Sequence, residues 1–121
     1  AVAVAHDLNA LHLGGVSFIA TTETVSAGQK WGGQTIPAVH ISVTDRDSVA
    51  PVAVGAYMLQ IIRRRHPGDF RWILPHIDQL AGSDALRNAV EAGTVGAWLA
   101  GADAQSRAFA ELTRSHWIYP P

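Results

Sequence analysis

Apolar residues recur at helical spacing near the start of the chain, and a more strand-like pattern follows. Val4, Leu8 and Leu11 keep to the three- and four-residue steps of an α-helix, which predicts a helix within residues 1–13. Gly14 comes directly after this segment, at a position where glycine commonly ends a helix. The chain is therefore predicted to open on a helix.

The next two apolar segments are typical of β-strands. Residues 16–20 are β-prone and predict a short strand, and residues 34–44 alternate between two faces and predict a longer one. Pro37 has no N–H to donate, so we expect its part of the strand at a sheet edge or a bulge. Residues 21–33 between the strands are polar and glycine-rich, and predict a long loop of the kind that often carries function.

A second helical stripe predicts a helix from about Val49 to Arg65, with Pro51 tolerated in its first turn. Polar side chains of residues 45–48 are expected to cap the start of this helix. The basic run at residues 63–66 is interpreted as a complement to the dipole at the helix end, with a phosphate site as the alternative.

The last third of the chain predicts short helices and a final strand. We expect one helical turn over residues 76–80, a helix over residues 84–92, and a last helix with Trp98 on its core face. The apolar tail at residues 117–119 predicts a terminal strand. The predicted fold class is α+β, a small sheet of short strands packed against several helices in a single domain over residues 1–121.

Composition excludes several classes of function. The formal charge of −1 and the pI of about 6.6 provide no broad field that would gather nucleic acid. Cysteine is absent, and no apolar run reaches the roughly 20 residues that span a bilayer. The first residue is Ala1 and the single methionine is Met58, from which we expect that the natural start of the chain has been lost.

The spacings that mark common catalytic sites are missing from this sequence. Neither Gly-x-Ser-x-Gly nor Ser-x-x-Lys occurs, and the six histidines show no metal-ligand spacing. The glycines of residues 26–33 do not match a phosphate loop, and a strand is predicted where a helix should follow. Asp45 and Asp47 lie on a turn, where helix capping is their expected role and a glycosidase pair is not. We predict no catalytic residue, metal site or cofactor in this chain.

Two side chains are candidates for ligand contact on their own. Trp31 stands in the polar loop and is the tryptophan expected to be exposed, where a flat indole can serve as a platform for a sugar face. The alternative is a loop tryptophan folded over its own core. His40 lies within the second strand, where it either faces a cleft or serves as a hydrogen-bonded strand histidine.

The motifs of the whole chain, taken in order, resemble the C-terminal domain of the bacterial exo-β-N-acetylmuramidase family. The segments that carry the resemblance are Leu8-Asn9, Leu13 to Phe18, Gly33, Val39 to Arg46, Pro51-Val52, Pro67 to Trp72, Ile77 to Arg87, Phe109 and Ile118-Tyr119. The chain departs from the family pattern at residues 35–39, 48–49 and 114–118.

The resemblance implies a secreted or cell-envelope enzyme of peptidoglycan recycling that removes terminal N-acetylmuramic acid. In that family a larger, Rossmann-like N-terminal domain holds most of the catalytic site, and the C-terminal domain closes one side of the cleft. The chain is therefore expected to be an accessory domain that is not catalytic alone. Its expected partners are the N-terminal catalytic domain or another protein chain, and a peptidoglycan fragment.

The resemblance also implies substrate contacts for Asp45, Arg46, His40 and Trp31. Arg46 can pair with the lactyl carboxylate of muramic acid or with a neighbouring acidic residue. The structural alternative for Asp45 and Arg46 is a cap and an internal ion pair. The functional alternatives are a stand-alone binding or protein-interaction module and, less favoured, a small enzyme working through His40 and Asp45.

Overall fold

A computed structural model of the chain describes residues 1–119 and confirms the α+β fold class. Within those residues it contains five α-helices, two β-strands and a closing 3₁₀ turn. In chain order these are α1 (Val2–Asn9), β1 (Val16–Thr24), β2 (Thr35–Val43), α2 (Pro51–Arg65), α3 (His76–Ala81), α4 (Ala85–Ala92), α5 (Val95–Thr113) and the 3₁₀ turn Arg114–His116.

The contacts group these elements into two compact units, Ala1–Arg71 and Trp72–Pro121. The first unit holds α1, the two strands and α2, and the second holds α3, α4, α5 and the 3₁₀ turn. That the chain forms a single domain stays a prediction, and each unit is described by itself. No helix within residues 1–119 has both the length and the apolar content that crossing a membrane requires.

In the first unit, α1 packs on one face of an antiparallel hairpin made by β1 and β2, and α2 packs against α1. Pairing runs without interruption from Val16 opposite Val43 to Thr24 opposite Thr35. The buried core combines helix and strand side chains. Its members are Val4, Ala5, Leu8, Phe18, Val54 and Ile61. Alternation along a strand sends neighbouring residues to opposite faces, so Phe18 marks the face that the helices cover.

Strand β1 is four residues longer than predicted, and the loop that follows it is correspondingly shorter. Its second half is polar but rich in threonine, a β-branched residue that favours extended backbone. Thr24 and Thr35 face each other across the strands, with their hydroxyl oxygens 3.1 Å apart in a hydrogen bond. Pro37 fits its edge prediction, since β2 has β1 as its one neighbour within the described residues.

Helix α1 ends earlier than predicted, at Asn9, and the side chain of that residue links the helix to β1. Its amide donates to the carbonyl oxygen of Phe18 at 2.8 Å and its amide oxygen accepts from the N–H of Phe18 at 3.0 Å. The two bonds imitate the pairing of a neighbouring strand, and they fix the end of α1 to the start of β1.

The predicted capping of α2 by residues 45–48 is wrong. The helix begins at Pro51, with Ala50 at the N-cap position and no side-chain capping bond. Pro51 has no backbone N–H, so the first turn of α2 has one fewer N–H group that a cap would have to pair. The carboxylate of Asp45 instead closes the turn in which it lies.

In the second unit, ion pairing and a tryptophan bond hold the short helices together. Arg87 of α4 binds Asp78 of α3 through two nitrogens, at 2.9 and 2.8 Å. The indole of Trp72 donates to a carboxylate oxygen of Glu91 at 2.7 Å. Helix α4 ends at the predicted Gly93, which takes the left-handed conformation that favours glycine.

Two predictions for the end of the chain are wrong. Residues 117–119 form no strand, since a strand needs a neighbour to complete its hydrogen bonds and the backbone N–H of Trp117 donates instead to the carbonyl oxygen of Arg114 at 3.3 Å. Trp98, expected in the core, is half-buried and lines an open cleft beside α5.

Candidate functional site

The four predicted ligand-binding residues lie along one hairpin but do not converge on one site. Trp31 lies in the loop between β1 and β2, His40 is inside β2, and Asp45 and Arg46 follow the other end of β2. A nine-residue strand at about 3.3 Å per residue is on the order of 30 Å long. The structure therefore separates Trp31 from the Asp45–Arg46 turn, and each location has its own chemistry.

The turn after β2 is built around the backbone of Gly15. The carbonyl oxygen of Gly15 accepts from the N–H groups of Thr44 and Asp45 at 2.9 and 3.2 Å. Gly15 has φ of +68°, and a Cβ there would lie 2.7 Å from the nitrogen of Val49 and collide with the carbonyl oxygen of Asp45. The turn is thus held against the start of β1 at a distance that requires glycine.

The carboxylate of Asp45 closes this turn from within. It accepts from the hydroxyl of Ser48 and from the N–H of Asp47, the latter at 3.0 Å. These donors, the Ser48 hydroxyl first, lower the pKa of the Asp45 carboxyl below its usual range, since they stabilise the charged form. Asp45 therefore has a structural role within this turn, and the helix cap predicted for it is absent.

Arg46 is the exposed member of the same turn. Its guanidinium makes no ion pair and no hydrogen bond with any residue between 1 and 119, so the predicted internal ion pair is wrong. An unpaired guanidinium on a fixed turn presents five N–H donors in a planar fork, the geometry that binds a carboxylate through two bonds.

His40 lies on the face of the hairpin that the helices do not cover. It pairs across the strands with Ile19, one position removed from the Phe18 pair on the core face. Its ring is exposed and forms no hydrogen bond with the described part of the chain. The structural alternative, a hydrogen-bonded strand histidine, is therefore wrong.

Trp31 is exposed in the hairpin loop, as predicted, with 57% of its surface accessible. Sequence reasoning missed its neighbour Lys30, whose ammonium nitrogen lies 4.3 Å from the centroid of the Trp31 ring. The available signal was the position of the one lysine in the chain, directly before an exposed aromatic residue.

Two broad surface clefts among residues 1–119 contain none of the predicted site residues. One, of about 810 Å³ in the second unit, includes Trp98 and Phe109 among its lining side chains, with small residues of α5 between them. The other, of about 650 Å³ in the first unit, lies beside Val2, Thr21 and Pro37. In the part of the chain that the structure describes, no group of three histidine, aspartate or glutamate side chains could hold a metal ion.

The fold and these surfaces define a small α+β protein chain with a long hairpin that presents polar side chains at both ends. A family model described as "Exo-beta-N-acetylmuramidase NamZ, C-terminal" matches residues 1–119. The chain belongs to this family of C-terminal domains, which confirms the resemblance seen in the sequence. A C-terminal domain implies a partner domain on its N-terminal side.

One curated protein and one solved structure are similar to the chain. The chain is 36% identical over 88 residues to the peptidoglycan β-N-acetylmuramidase NamZ of Bacillus subtilis (strain 168), an alignment that covers 72% of this chain and 21% of the relative. The crystal structure of a DUF1343 family protein from Bacteroides fragilis NCTC 9343 has the same fold, with a TM-score of 0.79 at 19% identity. That match covers 99% of this chain and 33% of the other. The chain thus spans between a fifth and a third of the length of these relatives.

Proposed function

We propose that this chain is the C-terminal domain of a peptidoglycan exo-β-N-acetylmuramidase and that its β2–α2 turn, residues 44–50, lines one side of the substrate cleft. The family match over residues 1–119 carries this proposal. The pair of carboxylates that breaks the glycosidic bond then belongs to the partner domain. The domain binds and orients the sugar, and does not cleave it.

Arg46 is the residue of this turn that meets the substrate. Gly15 and Asp45 fix the backbone on either side of it, so the guanidinium is presented in a limited set of positions. Its planar fork suits the lactyl carboxylate of N-acetylmuramic acid, which N-acetylglucosamine does not have. Asp45 then orients Arg46, and a direct contact of Asp45 with substrate stays a prediction.

An exposed apolar face on α5 supports the presence of a packing partner. Phe109 and Leu112 of this helix are 66% and 77% exposed. A 19-residue helix gains most of its stability by burying an apolar stripe, and within the described residues α5 buries Val95 alone. We expect this face to pack against the catalytic domain.

The chemistry of the substrate sets where the protein should act. Peptidoglycan lies outside the cytoplasmic membrane, so an enzyme that trims its fragments is expected in the cell envelope or the medium. Cell-wall recycling is then the process in which it takes part.

The decisive experiment measures release of N-acetylmuramic acid from a disaccharide with that sugar at its non-reducing end. The full-length protein that carries this chain should release it, and the isolated 121 residues should not. Arg46→Gln should lower kcat/KM by about tenfold or more, as expected for the loss of a charge-assisted bond. With the lactyl carboxylate of the substrate converted to its amide, the variant and the parent should react at similar rates.

Arg107→Gln is the matched control, since Arg107 is an exposed arginine on α5 that makes no ion pair within the described chain. It should leave kcat/KM unchanged. Turnover by the isolated chain would overturn the accessory role, and equal kinetics for Arg46→Gln and Arg107→Gln would remove Arg46 from the substrate site. A full-length protein that binds the disaccharide without cleaving it would instead favour the stand-alone binding module.

A further inference from the structure

The loop that joins β1 to β2 has a defined shape at the end of the hairpin remote from Arg46. Val25 and Gln34 continue the ladder beyond the strands, with the N–H of Val25 donating to the carbonyl oxygen of Gln34 at 2.9 Å. The carbonyl oxygen of Val25 accepts from the N–H of Gly33 at 2.8 Å, and that of Gln29 accepts from the N–H of Gly32 at 2.9 Å. These bonds hold the backbone on both sides of Trp31.

Trp31 adopts a backbone conformation that is costly for its residue type. Its φ is +64°, in the left-handed region that non-glycine residues seldom enter because their Cβ meets the backbone there. More than half of its surface is exposed, so the indole is accessible to a ligand. Such strain is commonly found where a side chain must point in a direction that function requires.

Lys30 supplies a positive charge at the same place. Its ammonium nitrogen lies over the indole, 4.3 Å from the ring centroid, within the range of a cation–π interaction. No carboxylate in the described chain forms an ion pair with it. A flat apolar ring and an unneutralised ammonium group are therefore adjacent on an exposed, hydrogen-bonded loop.

We infer that Lys30 and Trp31 form a binding site for a sugar ring that carries a carboxylate, separate from the Arg46 turn. The C–H face of the sugar stacks on the indole, and the carboxylate pairs with the ammonium group. The four-carbon stem of Lys30 is flexible, so the carboxylate can draw the ammonium to the edge of the ring while the sugar takes the face. The choice of an acidic sugar rests on the proposed function, whereas the location rests on the loop alone.

The test titrates the ¹⁵N-labelled 121-residue chain with N-acetylmuramic acid and, separately, with N-acetylglucosamine. The chain has four tryptophans and therefore four indole N–H signals. The signal that disappears in Trp31→Phe belongs to Trp31. N-acetylmuramic acid should shift the Trp31 signal, with an affinity about two- to fivefold higher than that of N-acetylglucosamine, the range expected for one exposed ion pair.

Three variants separate the contributions of charge and ring. Lys30→Gln should bind both sugars equally and as weakly as the parent binds N-acetylglucosamine. Trp31→Ala should bind neither at the loop, as measured by the backbone signals of residues 28–34. Arg107→Gln removes one exposed cation elsewhere and should keep the preference for the acidic sugar. Thermal melting of each variant by circular dichroism checks that the fold is intact.

Each outcome decides the inference. A Trp31 signal that does not move, or shifts confined to residues 44–48, overturns the loop site. Equal affinities of the parent chain for the two sugars overturn the preference for an acidic ligand. If Arg46→Gln loses hydrolysis and the NMR signals of residues 28–34 do not shift, the proposed function is supported and the loop site is not. If those signals shift but the full-length protein has no muramidase activity, the loop site is supported and the proposed function is not.

Discussion

A Cβ on Gly15 would collide with the carbonyl oxygen of Asp45. The two backbones meet where the chain enters β1 and leaves β2, and Gly15 combines this close approach with a φ of +68°. Gly15 is therefore required for two reasons: a Cβ would clash with the neighbouring backbone, and the left-handed φ favours glycine. The turn that carries Arg46 depends on both.

Gly15→Ala is expected to destabilise the first unit by more than its backbone angle alone would cause. Alanine in the left-handed region costs roughly 1–2 kcal/mol, and the collision with Asp45 adds displacement of the turn. Urea unfolding followed by circular dichroism measures the free energy of unfolding. Gly33→Ala is the control, since Gly33 has φ of +78° and a Cβ added there would meet open space. Equal losses for the two variants would contradict the steric part of the explanation.

Residues whose roles are local were predictable from the sequence. Gly93 ends α4 as glycine at a helix end should, and the alternation around His40 gives the two faces of β2 correctly. The second half of β1 was missed because threonine is polar, so a prediction based on apolar alternation ends at Ala20 although the backbone stays extended. The terminal strand failed for the opposite reason, since β-propensity at residues 117–119 does not create a neighbouring strand.

The candidate site was predictable in its members but not in its arrangement. Exposure of Trp31 follows from its polar surroundings in the sequence, and the structure confirms it. The separation of Trp31 from Arg46 depends on the pairing of β1 with β2 over their full length, which the shorter predicted strand did not provide. The position of Lys30 over the indole depends on side-chain geometry that no sequence pattern records.

Leu8→Ala should remove a large part of the stability of the first unit. Leu8 of α1 is fully buried in the core that the helix shares with the hairpin and α2. Truncation of a buried leucine to alanine costs about 2–5 kcal/mol. Val2→Ala on the same helix is the control, because Val2 is 75% exposed and its truncation leaves no cavity. Urea midpoints of the two variants should differ clearly. Similar midpoints would mean that α1 does not pack on the core as the structure has it.

Asp45→Ala and Arg46→Ala should have different consequences although the residues are adjacent. Asp45→Ala removes the acceptor of the Ser48 hydroxyl and the Asp47 N–H, so the melting temperature should fall. Arg46→Ala removes a side chain without a partner in the described chain and should leave the melting temperature unchanged. Differential scanning calorimetry of both variants measures this. A fall for Arg46→Ala would show that its guanidinium serves the fold.

Asp7 should make the stability of the chain depend on pH in the acid range. Its carboxylate, 14% exposed, binds Arg65 through two nitrogens at 2.8 and 2.6 Å, and Arg64 at 2.7 Å. These bonds, those of Arg65 first, hold the pKa of the Asp7 carboxyl well below its usual range, although burial opposes them. The folded state therefore favours the charged form more strongly than the unfolded state does.

The sign of the effect follows from this lowered pKa. The contribution of Asp7 is fully present above its unfolded pKa of about 4 and is lost as the pH falls from there towards the folded pKa. Asp7→Asn should therefore be less stable than the parent at neutral pH. The difference between their free energies of unfolding should become smaller as the pH is lowered below about 4. Urea unfolding at a series of pH values measures it. Asp69→Asn, at an exposed carboxylate without an ion pair in the described chain, should show no such narrowing. A gap for Asp7→Asn that stays constant down to the acid limit would mean that its ion pairs with α2 do not form in solution.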